Sequence, residues 1–464
     1  MLGVYIQTKK PAFCRLFSSH YGGSLLHTQQ KKLHQLFFPI FLENLFSMLA
    51  GTVDTLMLST VGDAAVGAVG TANTYINVFL IMFTIISSGM VAVMTQYIGA
   101  GRPGVARQAL KLGLVFNIFV GLAFTAALTL GAGLLLRTVG IADGLFDHAK
   151  IYLQIVGAFC LCSAITPIFS SYLRSFGHTA PTMAATVSGN LVNLVLNAIF
   201  LFVFHWGVWG VALATGISRL VTMLWLIIAA KRRIHVALEE NPPRNREIFG
   251  TIVRVGFPAA MESALYNTAI ALVTRFLNQM DAEGIQTTAR SYAATITCTS
   301  FSVGAALAHA NAILVGWRIG AGELDACNRG THQAALMGVA VSITLSSLFA
   351  IFAKPIVGIF TDDPEMIRLV SLLLIVDIAL EAGRVLNLVY GIALKTSGDA
   401  LCPMIIAIVF AFLCAAGGTW LFGLRLGWLA VGAYVGMALD ECVRAFFMAA
   451  RWRAGKWKTQ NLVK

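Results

Sequence analysis

An ionised side chain inside a long apolar run is costly, by roughly 2.5–3.5 kcal/mol even on a lenient insertion scale, so each one is a candidate for chemistry. The run that starts at residue 34 holds Glu43 and Asp54, eleven residues apart. Eleven residues make about three turns at 3.6 residues per turn, so both carboxylates leave the helix on one side. Pro39 removes a backbone hydrogen bond and bends the start of that helix. Two acids on one face of a bent helix suit reversible binding of a proton or a sodium ion, since carboxylate oxygens are hard ligands. The plain alternative for Asp54 is a hydrated acid near the outer end of its helix.

Other apolar runs carry similar groups. Glu262 follows Pro258 at the spacing of Glu43 after Pro39, with Tyr266 one turn on and Asn267 beside it. Such a pair of glutamates would face each other across a central cleft, or would only complement helix N-termini. Asp377, Glu381, Arg384 and Asn387 fall at spacings of four, three and three, on one helical stripe. Glu381 and Arg384 are expected to pair, leaving Asp377 the freer acid. Asp440, Glu441 and Arg444 lie midway along the last run, and Arg219 midway along the sixth. An acid of its own half is the natural partner of Arg219, although no one residue stands out. Asn190, Asn193 and Asn197 recur at helical spacing and, with Tyr266 and Asn267, are candidate cavity residues.

Several motifs are discounted. Gly99-Ala100-Gly101-Arg102-Pro103-Gly104 fits GxGxxG, but a dinucleotide site needs that pattern between a strand and a helix. No GxxxxGK[ST] is present, which argues against an ATP-driven pump, and no HExxH is present. His205 and His309 stand alone. The eight cysteines form no CxxC pair, so neither a zinc site nor a disulfide framework is expected. The reading is no enzyme, no metal and no cofactor beyond a coupling ion, H+ or Na+.

The elements that position these residues follow from composition. Of 464 residues 58% are hydrophobic and 12% charged, with a mean hydropathy of +0.78. Soluble domains carry about 25% charged residues, so the bilayer must be the solvent. The net charge of +12 lies in short gaps between apolar runs. A nucleic-acid binder would gather it on a polar domain. At ~20 residues per span, twelve helices are predicted, at roughly 34–59, 72–98, 109–136, 149–174, 181–205, 209–230, 250–277, 289–316, 331–357, 366–394, 400–423 and 428–450. Lys and Arg gather before span one, after span six and after span twelve, whereas acids collect in the opposite loops. That bias puts both termini in the cytoplasm of a multi-pass protein of the inner (cell) membrane. The leader has no signal-peptide core and reads as a loose cytoplasmic segment.

The chain is also doubled. Ile98-Gly99-Ala100-Gly101 recurs as Ile319-Gly320-Ala321-Gly322, 221 residues on, and Leu173-Arg174 through Gly177 as Leu394-Lys395 through Gly398 at the same offset. The expected layout is a leader (1–33), a six-helix lobe (34–230), a cytoplasmic linker (231–248), a second six-helix lobe (249–452) and a tail (453–464). With an even number of spans per unit, the pseudo-twofold axis lies along the membrane normal. The fold class is an all-α membrane protein. Asp54 has no twin, because Val273 stands at its repeat position.

In order along the chain, Pro39, Val53-Asp54-Thr55, Ala65 through Gly70, Tyr97 through Gly101, Leu173-Arg174 with Gly177, Ala214 through Arg219, and Gly391 through Asp399 resemble the multidrug and toxic compound extrusion (MATE) family, from about residue 34 to 450. The resemblance implies two lobes in a V, alternating access driven by protons or sodium, and amphipathic, often cationic cargo. It maps the family's first-helix acid onto Asp54 and its seventh-helix acid onto Glu262. One branch has an Asp in span five where this chain has Asn197, and the sodium-coupled branch an acid in span ten near Arg384. The leading expectation is therefore an antiporter exporting amphipathic cations, with Asp54, Glu43 and Glu262 as ion-coupling residues. The alternative is a flippase for a lipid-linked precursor, although those carry strongly cationic cavities. Expected partners are small-molecule substrates and the lipid bilayer, with no nucleic acid, and the chain is expected to act as a monomer.

Overall fold

The computed structural model describes residues 31–139, 143–281 and 283–463; most of the leader lies outside them. The first half comprises α1 (Leu33–Ser59), α2 (Asp63–Gly99), α3 (Pro103–Leu130), α4 (Asp143–Ala158 and Cys160–Ser175), α5 (Thr179–Ala198) and α6 (Gly207–Arg233). The second comprises α7 (Asn245–Asn278), α8 (Ile285–Gly320), α9 (Leu324–Ile351), α10 (Pro364–Ser397), α11 (Leu401–Phe410, prolonged by π-helical turns to Arg425) and α12 (Leu429–Arg453).

Among the described residues nine helices are long and apolar enough to cross a membrane, and the two segments of α4, bent by 47°, make a tenth. The last two spans are α10 and α12, of 34 and 25 residues. At 1.5 Å per residue they reach about 51 and about 37 Å, more than a ~30 Å hydrocarbon core. They are less apolar because they hold the charged stripes. Leu130 (88% exposed), Phe119 (75%) and Leu336 (71%) face outward, as only lipid would favour. α2 begins nine residues before the expected 72, because Ala- and Val-rich sequence continues the helix past the most apolar stretch. α6 runs on to Arg233, where Lys231, Arg232 and Arg233 sit in the last turn and complement the helix dipole. The linker after it lies along the first lobe: Arg107 donates to the Val236 carbonyl (2.7 Å) and Arg102 pairs with Glu239 (2.8 Å).

The two lobes meet through pairs related by the repeat. α2 crosses α8 so closely that a Cβ on Gly99 would overlap the Trp317 backbone, and one on Gly320 the Gln96 backbone. α2 likewise crosses α7, with Gly89 against the Ile252 carbonyl and Gly256 against that of Ile85. Gln96 donates to the Thr396 carbonyl (2.8 Å), and Trp317, its repeat counterpart, donates to the Ser175 carbonyl (2.9 Å). Small residues permit such backbone contact between membrane helices.

Both ends of the described chain join this contact. Lys31 donates to the Gly177 carbonyl (2.7 Å), and the backbone N–H of Leu462 donates to Gln96 Oε1 (3.0 Å). The leader is thus not loose where it meets α1. Away from this end Thr52, Asn267 and Thr268 are exposed on α1 and α7.

Two outcomes follow from this packing. Gly320→Ala meets a backbone oxygen that cannot step aside, and should cost roughly 1–3 kcal/mol, read as a lower Tm in detergent. Gly70→Ala, with open space at its Cβ, should leave Tm unchanged or raise it. The second outcome concerns His178, which caps α5. Burial, with Lys31 and then Arg233 beside it, pushes its imidazole down from 6.5 to about 4. A base held neutral by folding contributes stability that is present above its unfolded value and lost as pH falls from about 6.5 toward 4. Tm should therefore drop between pH 7.5 and 5, and His178→Gln should shrink that drop.

Candidate functional site

α1 and α5 run side by side in the same direction, and their polar residues share one spacing. Glu43 accepts from Thr182 (3.2 Å) and Thr186 (3.1 Å). Asp54, eleven residues on, accepts from Asn197 (2.9 Å), eleven residues beyond Thr186. Asn193, with its amide nitrogen turned to the carboxylate, reaches both Asp54 oxygens at 2.6 and 3.0 Å. Both acids do leave α1 on one face, as the spacing predicts. Asp54 is moreover no simply hydrated terminal acid, because two amides of α5 grip it.

A polar cavity of about 360 Å³ opens beside this pair. Asp54 is its one carboxylate; Ser163 and Thr166 of α4, Asn190 and Asn193 of α5, and Arg219 of α6 complete most of the lining. Among the described ion pairs none involves Arg219 or Asp54. The break in α4 helps make the room. Phe159, at the break, packs its ring on Gly216 of α6, where any Cβ would overlap it.

In the second lobe the matching space is filled. Ser163, Thr166 and Arg219 correspond, 221 residues on, to Arg384, Asn387 and Asp440. Arg384 pairs with Glu381, as expected, and also with Glu441 (3.3 Å). Arg444 bonds Asp440 (2.7 Å) and Glu441 (2.9 Å), and Asn387 donates to Glu441 (2.9 Å). Tyr266 closes the group, with its hydroxyl 3.4 Å from Glu441 and its ring 5.0 Å from the Arg444 guanidinium. Tyr266 is therefore part of this network, and only Asn267 lies exposed. Asp377 is buried with Oδ2 unpartnered, and Glu381 Oε2 and Asp440 Oδ1 are unpartnered as well. Four acids face two guanidiniums, so the cluster has carboxylate to spare.

Glu43 and Glu262 are each neutralised by a cation of their own lobe. Glu43 pairs with Arg174 (2.7 Å) and Glu262 with Lys395 (3.0 Å). Arg174 and Lys395 are themselves repeat counterparts, and His309 lies within Coulombic reach of both. In the sequence both cations stand within the doubled motif, Leu173-Arg174 and Leu394-Lys395. The doubled motif already held the signal: a basic residue conserved in register, in a chain with few charges, needs an acid at the matching register. Among the described residues no three His, Cys, Asp or Glu side chains converge as metal ligands.

Comparison with known proteins gives a consistent picture. The MatE family model matches twice, over residues 39–199 and 258–421. An uncharacterized transporter, YisQ, of Bacillus subtilis is 32% identical over 431 residues, spanning 92% of this chain and 94% of its own. A probable multidrug resistance protein NorM of Thermotoga maritima is 26% identical over 451 residues, spanning 94% and 96%. Among solved structures, the outward-facing conformation of a multidrug resistance MATE family transporter superposes with a TM-score of 0.83 at 19% identity, covering 94% of this chain and 99% of that one.

The second-lobe cluster sets a test of its own. Arg384→Met strands Glu381, while Glu441 keeps Arg444 and Asn387, and should destabilise by roughly 3–5 kcal/mol. Adding Glu381→Met should recover part of that loss, as measured by denaturant unfolding in detergent. A double variant no more stable than Arg384→Met would contradict this pairing.

Proposed function

The chain belongs to the MatE family of multidrug-efflux transporters, and from that premise we propose that it is a secondary active antiporter. In this reading it exports amphipathic cations in exchange for protons or sodium, with both termini in the cytoplasm. The observation that carries the proposal is Asp54: one carboxylate, held by neutral amides and without a described ion pair, in a polar cavity inside the membrane. A carboxylate in that setting is costly unless neutralised; Arg219 lines the same cavity but makes no described ion pair with it, so the site has room for a neutralising cation. A proton or sodium ion and the cationic centre of a cargo molecule satisfy the same carboxylate. They therefore compete, and such competition is the requirement for exchange.

Alternating access then needs the two lobes to separate where they now touch. Ion binding shifts that equilibrium only by its differential affinity for the two arrangements. Glu43 and Glu262 enter with their cations already beside them. They serve as the charged floor of the cleft, whose pairs exchange partners as the lobes move, and Asp54 is the primary ion site. Asp377, buried and without a described ion pair, is a second place for a proton. The cavity carries one acid, Asp54, against one base, Arg219, and so lacks the strongly cationic lining that the anionic headgroup of a lipid-linked precursor would need.

The experiment is efflux from proteoliposomes under an imposed proton or sodium gradient, with ethidium and an anionic dye in parallel. Ethidium should leave against its gradient and the anionic dye should not. Asp54→Asn should cut gradient-driven export at least about tenfold, the loss expected when an ion-site free energy of ~1.4 kcal/mol or more is removed. Unaltered ethidium export by Asp54→Asn would sink the assignment of the site. Export driven equally well with no ion gradient would sink antiport itself.

A further inference from the structure

A second, larger cavity lies on the flank of the molecule between α1, α8 and α9, apart from the Asp54 site. Its volume is about 730 Å³. Its walls are apolar, with Phe37, Phe41, Leu307 and Val341 along its length. Phe38 (60% exposed), Met337 (57%) and Val341 (43%) line it too, so it opens sideways toward lipid rather than into the cleft. Its mouth, on the side of the termini, is basic: Lys31, Lys32, His34 and Arg318 line it, and no acid does.

We propose that this cavity binds one anionic phospholipid from the bilayer leaflet on the side of the termini. Three observations converge on that occupant. The first is charge. Lys31 is committed to the Gly177 carbonyl. Arg318 gives one guanidinium nitrogen to the Ala326 carbonyl (3.1 Å) and keeps its other donors, and neither it nor Lys32 takes part in the described ion pairs. Two cations at one end of an apolar slot fit a phosphate at the membrane surface.

The second is length. Along α8 the lining runs from Arg318 to Val303, about 22 Å at 1.5 Å per residue. That is half of a bilayer ~40–45 Å thick with its headgroups, or one leaflet. A free inorganic anion has no use for the apolar depth.

The third is an orphan donor. Asn311 is 1% exposed, lines the cavity, and its Nδ2 has no hydrogen-bond partner. It lies about 10 Å along α8 from Arg318, at the depth where acyl ester carbonyls follow the phosphate. An ester carbonyl would accept from it, relieving an unmet donor in an apolar setting.

The test is native mass spectrometry of the full chain in neutral detergent, titrated with phosphatidylglycerol or phosphatidylcholine of identical chains. Phosphatidylglycerol should bind in a one-to-one ratio and clearly tighter than phosphatidylcholine. Lys32→Gln with Arg318→Gln should weaken it about thirtyfold, the factor expected for two cations acting on an anionic lipid. Asn311→Leu should weaken both lipids. Should the charge pair fail to fold, Val341→Trp, on the exposed flank, blocks the acyl slot and should displace phosphatidylglycerol by itself. Lys354→Gln, exposed at the opposite end, should change nothing. Equal binding of the two lipids would overturn the proposal, as would wild-type binding by the folded Val341→Trp variant. Displacement of phosphatidylglycerol by an equal concentration of inorganic phosphate would reassign the mouth to a free anion. This readout needs no transport, so it stands or falls separately from the antiport reading.

Discussion

The contact on which the molecule rests is the crossing of α2 over α8 at Gly99 and Gly320. Each glycine lies on the backbone of the other helix at the residue three positions earlier. Gln96 and Trp317, which occupy those positions, each send a side-chain donor across to the opposite lobe. In lipid there is little hydrophobic drive to bring two helices together, so packing and hydrogen bonds must do it. The Gly89 and Gly256 contacts lie on the same helix α2, and both ends of the described chain are anchored near the joint.

Duplication gave two identical scaffolds, and side-chain size then made them different. Where the first lobe carries Ser163 and Thr166 there is space; where the second carries Arg384 and Asn387 there is a filled ionic network. The helix that breaks at Phe159 in one half runs unbroken from Pro364 to Ser397 in the other. The first lobe therefore has a cavity with one carboxylate. The second keeps its spare acids inside a packed network, where removing one partner strands another.

Much of this was legible beforehand, for identifiable reasons. The twelve spans, the doubling and the Glu381–Arg384 pair follow from hydropathy, offset and helical spacing, all of which are local or periodic. The common face of Glu43 and Asp54 was likewise legible on α1 alone. The ion pairs of Glu43 and Glu262 were not, because Arg174 and Lys395 lie more than 130 residues away in the chain. The contact of Tyr266 with Glu441 was not legible for the same reason, since Glu441 is on the last helix. Helix ends also drifted. The edge of an apolar run marks where lipid ends, whereas a helix stops only when its capping and backbone geometry require it.

Gln96 has one further consequence. Its amide nitrogen holds the carbonyl of Thr396 in the other lobe and its amide oxygen holds the N–H of Leu462 in the tail. One flat group thus ties three stretches of chain, and rotating it to free either partner misaligns the other. Moving Gln96 away from the second lobe therefore also disturbs the hydrogen bond that holds the tail at Leu462.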